Sequence, residues 1–182
     1  MTKFPIHTME SAPGRSQPAM RQLQSAFGMV PNLIGAMSTS PILIDSLVGL
    51  FGKVHGGSFT EAQVQIVLLT DAVTNASSWA VALHTTLALK EGIDPADVQA
   101  IREGRLPRDS KYAALSALAK TMIEKRGRLS DEDVNRFRAA GFGKDHLLEV
   151  IAAVAASTIT NYTGNITRPP LDGPFQEHAW QG

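Results

Sequence analysis

The stretch from residue 59 to residue 92, FTEAQVQIVLLTDAVTNASSWAVALHTTLALKEG, constrains the fold more than any other part of the chain. It reads as two apolar helices joined at Thr74-Asn75-Ala76. Val64, Ile66, Val67, Leu68, Leu69 and Val73 cover more than one face of the first. Residues 144–162 repeat the pattern, with Leu147, Leu148, Val150, Ile151, Val154 and Ile159 interleaved with Ala152, Ala153, Ala155 and Ala156. A helix without a polar face has to be buried on most sides. Two such helices in one chain predict a bundle in which they are central, part of their surface being covered by another subunit.

The helix starts carry a shared signal. Phe59-Thr60-x-x-Gln63-Val64, Ile93-Asp94-x-x-Asp97-Val98 and Leu129-Ser130-x-x-Asp133-Val134 each place a capping residue between an apolar N′ and an apolar N4. That is the hydrophobic staple around an N-cap. Phe142-Gly143-x-x-His146-Leu147 is a weaker fourth case. Upstream, Ser16 opens a helix with Met20, Leu23 and Phe27 on one face, closed by Gly28, and Pro31 opens a short one over residues 32–37. Ser40 caps a further helix with Pro41 in its first turn. That helix is expected to bury Ile42, Leu43, Ile44, Leu47 and Leu50 and to stop at Gly56-Gly57. No stretch alternates with period two, so strands are not expected. The expected fold class is all-α, an oligomeric helical bundle.

Residues 1–15 lack periodicity and read as an extended arm, residues 16–168 as one helical domain, and residues 169–182 as a tail. Prolines make that tail non-helical, and its Phe175 and Trp180 point to docking on the domain or a neighbour. A length of 182 residues fits one domain, and 43% hydrophobic residues supply a sizeable core. Lys+Arg 17 balance Asp+Glu 17, so the basic footprint of a nucleic-acid binder is missing. The apolar run Val150 to Ala156 is too short to span a bilayer and the N-terminus has no signal-like segment, which makes a cytoplasmic protein without membrane contacts the expectation. The chain contains no cysteine, which removes disulfides, cysteine-ligated zinc and thiol redox chemistry. His7, His55, His84, His146 and His178 show no ligand-spaced pairing. Neither a metal nor a cofactor is expected.

Ser77, Ala80 and His84 follow one another at offsets of three and four, along one face of the second apolar helix. The surrounding residues, Asn75-Ala76-Ser77-Ser78-Trp79-Ala80-Val81-Ala82-Leu83-His84-Thr85, resemble the alkylhydroperoxidase-D-like family, also called carboxymuconolactone decarboxylase-like. Its pattern here is Asn-Gly-Cys-x-Tyr-Cys-x-x-x-His-Thr. Asn75, His84 and Thr85 match, Trp79 stands for the tyrosine, and Ser77 and Ala80 stand for the two cysteines. The family's relay glutamate falls on Gln65. The resemblance runs from about Gln22 to Asp172, including residues 27–33, Ser40-Pro41 and Asn161-Tyr162-x-x-Asn165. It implies the family's helical fold, a homo-oligomer (trimer or hexamer), and a site at His84, Gln65 and Ser77 with Trp79, Ala80 and Asn161 beside a small organic ligand.

Each of these residues also has a plain structural reading. Ser77 or Asn75 suits the cap of the helix that starts there, and Ser77 suits a cap better than a nucleophile, because no oriented base or oxyanion donors are evident around it. Ala80 has no chemistry, and disulfide cycling is excluded. His84 is either an acid–base group or a buried histidine bonded to Gln65 or to backbone. Gln65 can donate and accept hydrogen bonds but cannot move protons as a carboxylate does. Asn161 and Asn165 share one face of the last helix, where capping or packing is the default. Three functions remain open: a member that binds a small organic molecule without peroxidase activity, a cysteine-independent lyase or decarboxylase acting on a small carboxylate or lactone through His84, and a peroxidase-related antioxidant role using a partner's thiol.

Overall fold

Helix α4, Glu61–Thr74, lies at the centre of the molecule, and the nine residues from Val64 to Ala72 on it are all buried. The chain is described here by a computed structural model covering residues 4–182; Met1–Lys3, part of the expected arm, lie outside the described residues. A turn reverses the chain into α5, Ser78–Lys90, antiparallel to α4. Ala76 gives that turn its left-handed residue, with φ of 50°. α6 (Pro95–Arg102), α7 (Ser110–Glu124) and α9 (Lys144–Thr167) cover the remaining sides of α4, and α8 (Asp131–Ala139) packs on α7. α1 (Gln17–Phe27), α2 (Asn32–Met37) and α3 (Pro41–His55) close the other end, α3 lying along α9. No strand occurs among the described residues.

The start signals operate as hydrogen bonds. Thr60 and Gln63 form a reciprocal capping box, Gln63 N–H donating to Thr60 Oγ1 (3.3 Å) and Thr60 N–H to Gln63 Oε1 (3.0 Å). Ser130 and Asp133 do the same at α8. Asp94 accepts from Ala96 N–H, and Gly143 N–H donates to the His146 ring, so the fourth start is closed from its N3 side chain. Each such cap is worth about 1 kcal/mol. α7 lies outside these four signals. Its cap is Asp109, which accepts from the N–H groups of Lys111 and Tyr112, but Arg108 precedes it where a staple would need an apolar residue.

Three expectations are corrected. Ile42 is 76% exposed rather than buried, because α3 turns its Ile44–Leu47 side to the core. α9 runs on to Thr167 and ends at left-handed Arg168. Leu148, Ile151, Tyr162 and Ile166 of this helix are exposed in the single chain. The tail is not free of helix, since Gly173–His178 form a 3-10 turn. That tail packs on α5 and α6. Phe175 meets Trp79 edge-on at 5.9 Å, Trp79 Nε1–H donates to Asp172 Oδ2 (2.9 Å), and Trp180 Nε1–H donates to the Arg102 carbonyl (3.1 Å). Arg102 in turn donates to Thr85 Oγ1 and to the carbonyls of His178 and Ala179.

At the other terminus His7 N–H donates to the Gly35 carbonyl. A Cβ on Gly35 would come within 2.8 Å of the His7 carbonyl oxygen, so the N-terminal segment lies on α2 only because that position is glycine. No described helix is long and apolar enough to cross a membrane.

Candidate functional site

A cavity of about 410 Å³ opens between α1, α3, α4 and α5. Its walls are apolar, from Leu23, Phe27, Val48, Phe51 and Leu87, and its polar lining includes His55, Glu61, Gln65 and His84, with Lys90 and Glu91. The antiparallel turn between α4 and α5 brings Gln65 against His84, both only 1% exposed. His84 Nδ1 lies 2.9 Å from Gln65 Oε1. On the other side Gln65 Nε2 donates to Glu61 Oε1 (2.7 Å), and Glu61 Oε2 lies 2.8 Å from His55 Nδ1. Four side chains thus run as one hydrogen-bonded file from the core to the partly exposed mouth of the cavity.

The donors in this file follow from its chemistry. Glu61 as a carboxylate only accepts, so the Gln65 amide must turn its NH2 toward it. The amide oxygen then faces His84, which must carry its proton on Nδ1. Burial pushes the His84 pKa down to about 3. His84 is therefore a neutral imidazole at physiological pH, one nitrogen committed to Gln65.

Glu61 and His55 were not singled out in the sequence, where a separation of six positions makes neither a helical pair nor a metal motif. The break between α3 and α4 brings them together. Glu149 of α9 holds that break, accepting from Ser58 N–H (2.9 Å) and Ser58 Oγ–H (2.6 Å). Gly57 permits it, since a Cβ there would lie 2.8 Å from Glu149 Oε2. The available signal was Glu61 itself, one helical turn before Gln65 on the same face.

The other sequence-selected residues do not line this cavity. Ala80 borders a void of about 20 Å³ that it shares with His84, Trp79, Leu33 and Thr160. Trp79 otherwise holds the tail, as above. Ser77 occupies the N-cap position of α5 but makes no side-chain capping bond. Its buried hydroxyl has no partner and faces Gly164 of α9, where a Cβ would stand 3.2 Å from Oγ. The expected capping bond at Ser77 is therefore absent. Asn161 Nδ2–H donates to Ser157 Oγ (3.1 Å), while Asn161 Oδ1 is unpartnered. Nearby on α4, Asp71 is fully buried, and neither carboxyl oxygen has a partner in good hydrogen-bond geometry, the Ser157 hydroxyl acting on it only weakly. Burial pushes its pKa well above the carboxylate range, against a smaller opposing effect of the Ser157 hydroxyl. Among the described residues no group of His, Cys, Asp or Glu is clustered to hold a metal.

The chain has the all-α fold of alkylhydroperoxidase-D-like proteins, and it has no cysteine. The alkylhydroperoxidase AhpD core of an uncharacterized peroxidase-related protein from Ralstonia eutropha superposes with a TM-score of 0.83 at 14% identity, over 95% of this chain and 93% of that one. A peroxidase-related protein from a Silicibacter species gives 0.78 at 16% identity, over 96% and 97%. The debrominase Bmp8 gives 0.78 at 15% identity, over 95% and 93%. A cysteine-to-alanine variant of it, in complex with 2,3,4-tribromopyrrole, gives 0.76 at 14%, over 97% and 95%. No protein-family model matches the sequence, and no curated protein does.

Proposed function

We propose that the chain binds a small, mostly apolar organic molecule in the α1–α3–α4–α5 cavity and that it works without thiol redox chemistry. The observation that carries this is the cavity itself: apolar walls converge on a few linked polar groups, the usual composition of a small-molecule site. The thiolate needed for peroxide reduction is missing from the sequence. A related fold that accommodates a halogenated pyrrole supports a ring-sized ligand. The test is thermal stabilisation by a panel of phenols, halogenated heteroaromatics and small ring carboxylates, with Ala26→Trp at the cavity edge as the filled-site control. Stabilisation that persists undiminished in Ala26→Trp would place the ligand elsewhere.

A second reading, a cysteine-independent lyase acting on a carboxylate or lactone, is favoured by Lys90, a cation on the same cavity that could meet a carboxylate. In that case His84 is a hydrogen-bonding group, not the base, because its burial disfavours protonation. Carbon dioxide release from a lactone carboxylate is the measurement, and its absence across such substrates removes the reading.

The same proposal includes self-assembly. Leu148, Ile151, Ala155, Tyr162 and Ile166 follow helical spacing along one exposed stripe of α9, and Ile42 of the neighbouring α3 is exposed too. A homo-oligomer, a trimer or hexamer by the family resemblance, would bury this stripe.

A further inference from the structure

The file His84–Gln65–Glu61–His55 ends at a histidine that no resemblance assigns. His55 lines the cavity, and its Nδ1 lies 2.8 Å from Glu61 Oε2. A carboxylate beside one ring nitrogen keeps the proton there, which leaves Nε2 as the nitrogen able to accept. The Phe51 ring lies 5.1 Å from the imidazole at 43° and limits its rotation. Glu61 is itself oriented from behind by the Gln65 amide, which is fixed by buried His84. A base held by a third group, at the edge of an apolar cavity, is the arrangement that general-base chemistry uses.

We infer that His55, oriented by Glu61, accepts the proton of an acidic ring hydroxyl, so that the ligand class is a phenol or an enol. The proposal rests on the cavity reading above. In the step the ligand O–H bond breaks, its electron pair stays on oxygen, and the proton forms an N–H bond at His55 Nε2. The resulting imidazolium is stabilised by the Glu61 carboxylate, and the ligand oxyanion faces a cavity that also holds the Lys90 ammonium. Nothing else is consumed. The other titratable groups lining the cavity are Glu91 and His84, and burial holds His84 neutral. Glu61 is a positioning residue here, and His55 the one that touches the ligand.

The probe is para-nitrophenol, whose visible phenolate band reports ionisation independently of binding, with binding followed by equilibrium dialysis. For the wild type the expected bound phenolate-to-phenol ratio exceeds that in His55→Gln by roughly tenfold, a one-unit difference in ligand pKa. Glu61→Gln, which keeps a polar partner on His55 but removes its charge, should fall between the two. Dialysis gives the bound fraction for each variant, so the ratio is read on bound ligand alone and weaker binding by His55→Gln does not enter it. Equal phenolate fractions in wild type and His55→Gln overturn the inference while leaving the cavity reading in place. Loss of the band in Lys90→Gln but not in His55→Gln overturns it as well, because the lysine would then be the ionising group. No binding by the wild type overturns the cavity reading and this one with it.

Discussion

Replacing Gln65 by leucine tests whether the file is an energetic unit. The amide accepts from His84 at 2.9 Å and donates to Glu61 at 2.7 Å, and leucine of similar size makes neither bond. The two losses are unequal. Glu61 is partly exposed, so water replaces the amide at little cost. His84 is 1% exposed, so its Nδ1–H is left without an acceptor, at about 1–3 kcal/mol for a buried unsatisfied donor. In a domain of this size that corresponds to a fall in melting temperature of about 2–4 °C per kcal/mol. The second arm is His84→Phe, which removes the donor and keeps a planar ring. Replacing both partners by apolar groups can be close to neutral, so the double variant should regain most of what Gln65→Leu loses. The cycle should show a coupling of about 1–2 kcal/mol, measured by urea unfolding followed by circular dichroism. Gln65→Leu within about 0.5 kcal/mol of wild type, as for an exposed substitution, together with zero coupling, would refute the argument.

Asp71→Asn should stabilise the fold in a pH-dependent way. Burial raises the native pKa of Asp71, so its contribution is fully present below the unfolded carboxylate value and is lost as pH rises toward the native one. The advantage of the asparagine variant should grow across that window and then level off; parallel stability–pH curves would contradict it. Alkyl hydroperoxide turnover with a dithiol reductant should be absent from metal-free protein, and any sustained turnover counts against a thiol-free site. The triple variant Gln65→Glu, Ser77→Cys, Ala80→Cys should form a disulfide measurable by thiol titration, since residues i and i+3 at a helix start can meet; two persistently free thiols would show that α5 holds them apart. Light scattering should give an oligomer that Ile151→Glu dissociates without loss of helicity, and a monomeric wild type at micromolar concentration would remove the assembly.

The architecture was legible because its signals are local. Thr60, Asp94 and Ser130 announce helices through hydrogen bonds that span three residues, and the apolar breadth of residues 64–73 leaves α4 no position but the centre. The pairing of Gln65 with His84 was also within reach, because a short turn between antiparallel helices aligns them. What escaped was set by neighbours distant in sequence. Ile42 looks like core on its own helix, and only the path of α3 along α9 turns it outward. The His55–Glu61 pair depends on a break held by Glu149, ninety-one residues from Ser58, and no spacing rule contains that contact. Ser77 has the residue type and position of a cap, yet its hydroxyl makes no capping bond and lies against Gly164, which is distant in sequence and close to it in space only through the fold.

The chain has two tryptophans, and the tail engages both. Trp79 gives its indole N–H to Asp172, and Trp180 is itself carried by the tail and bonded to α6. Intrinsic fluorescence of this protein is therefore an optical report on a fourteen-residue strap as much as on the bundle beneath it. Tail release with the helices intact would move the emission of both indoles while the far-ultraviolet signal stayed constant. Denaturation curves from the two methods would then separate, and that gap would measure strap detachment, not a folding intermediate.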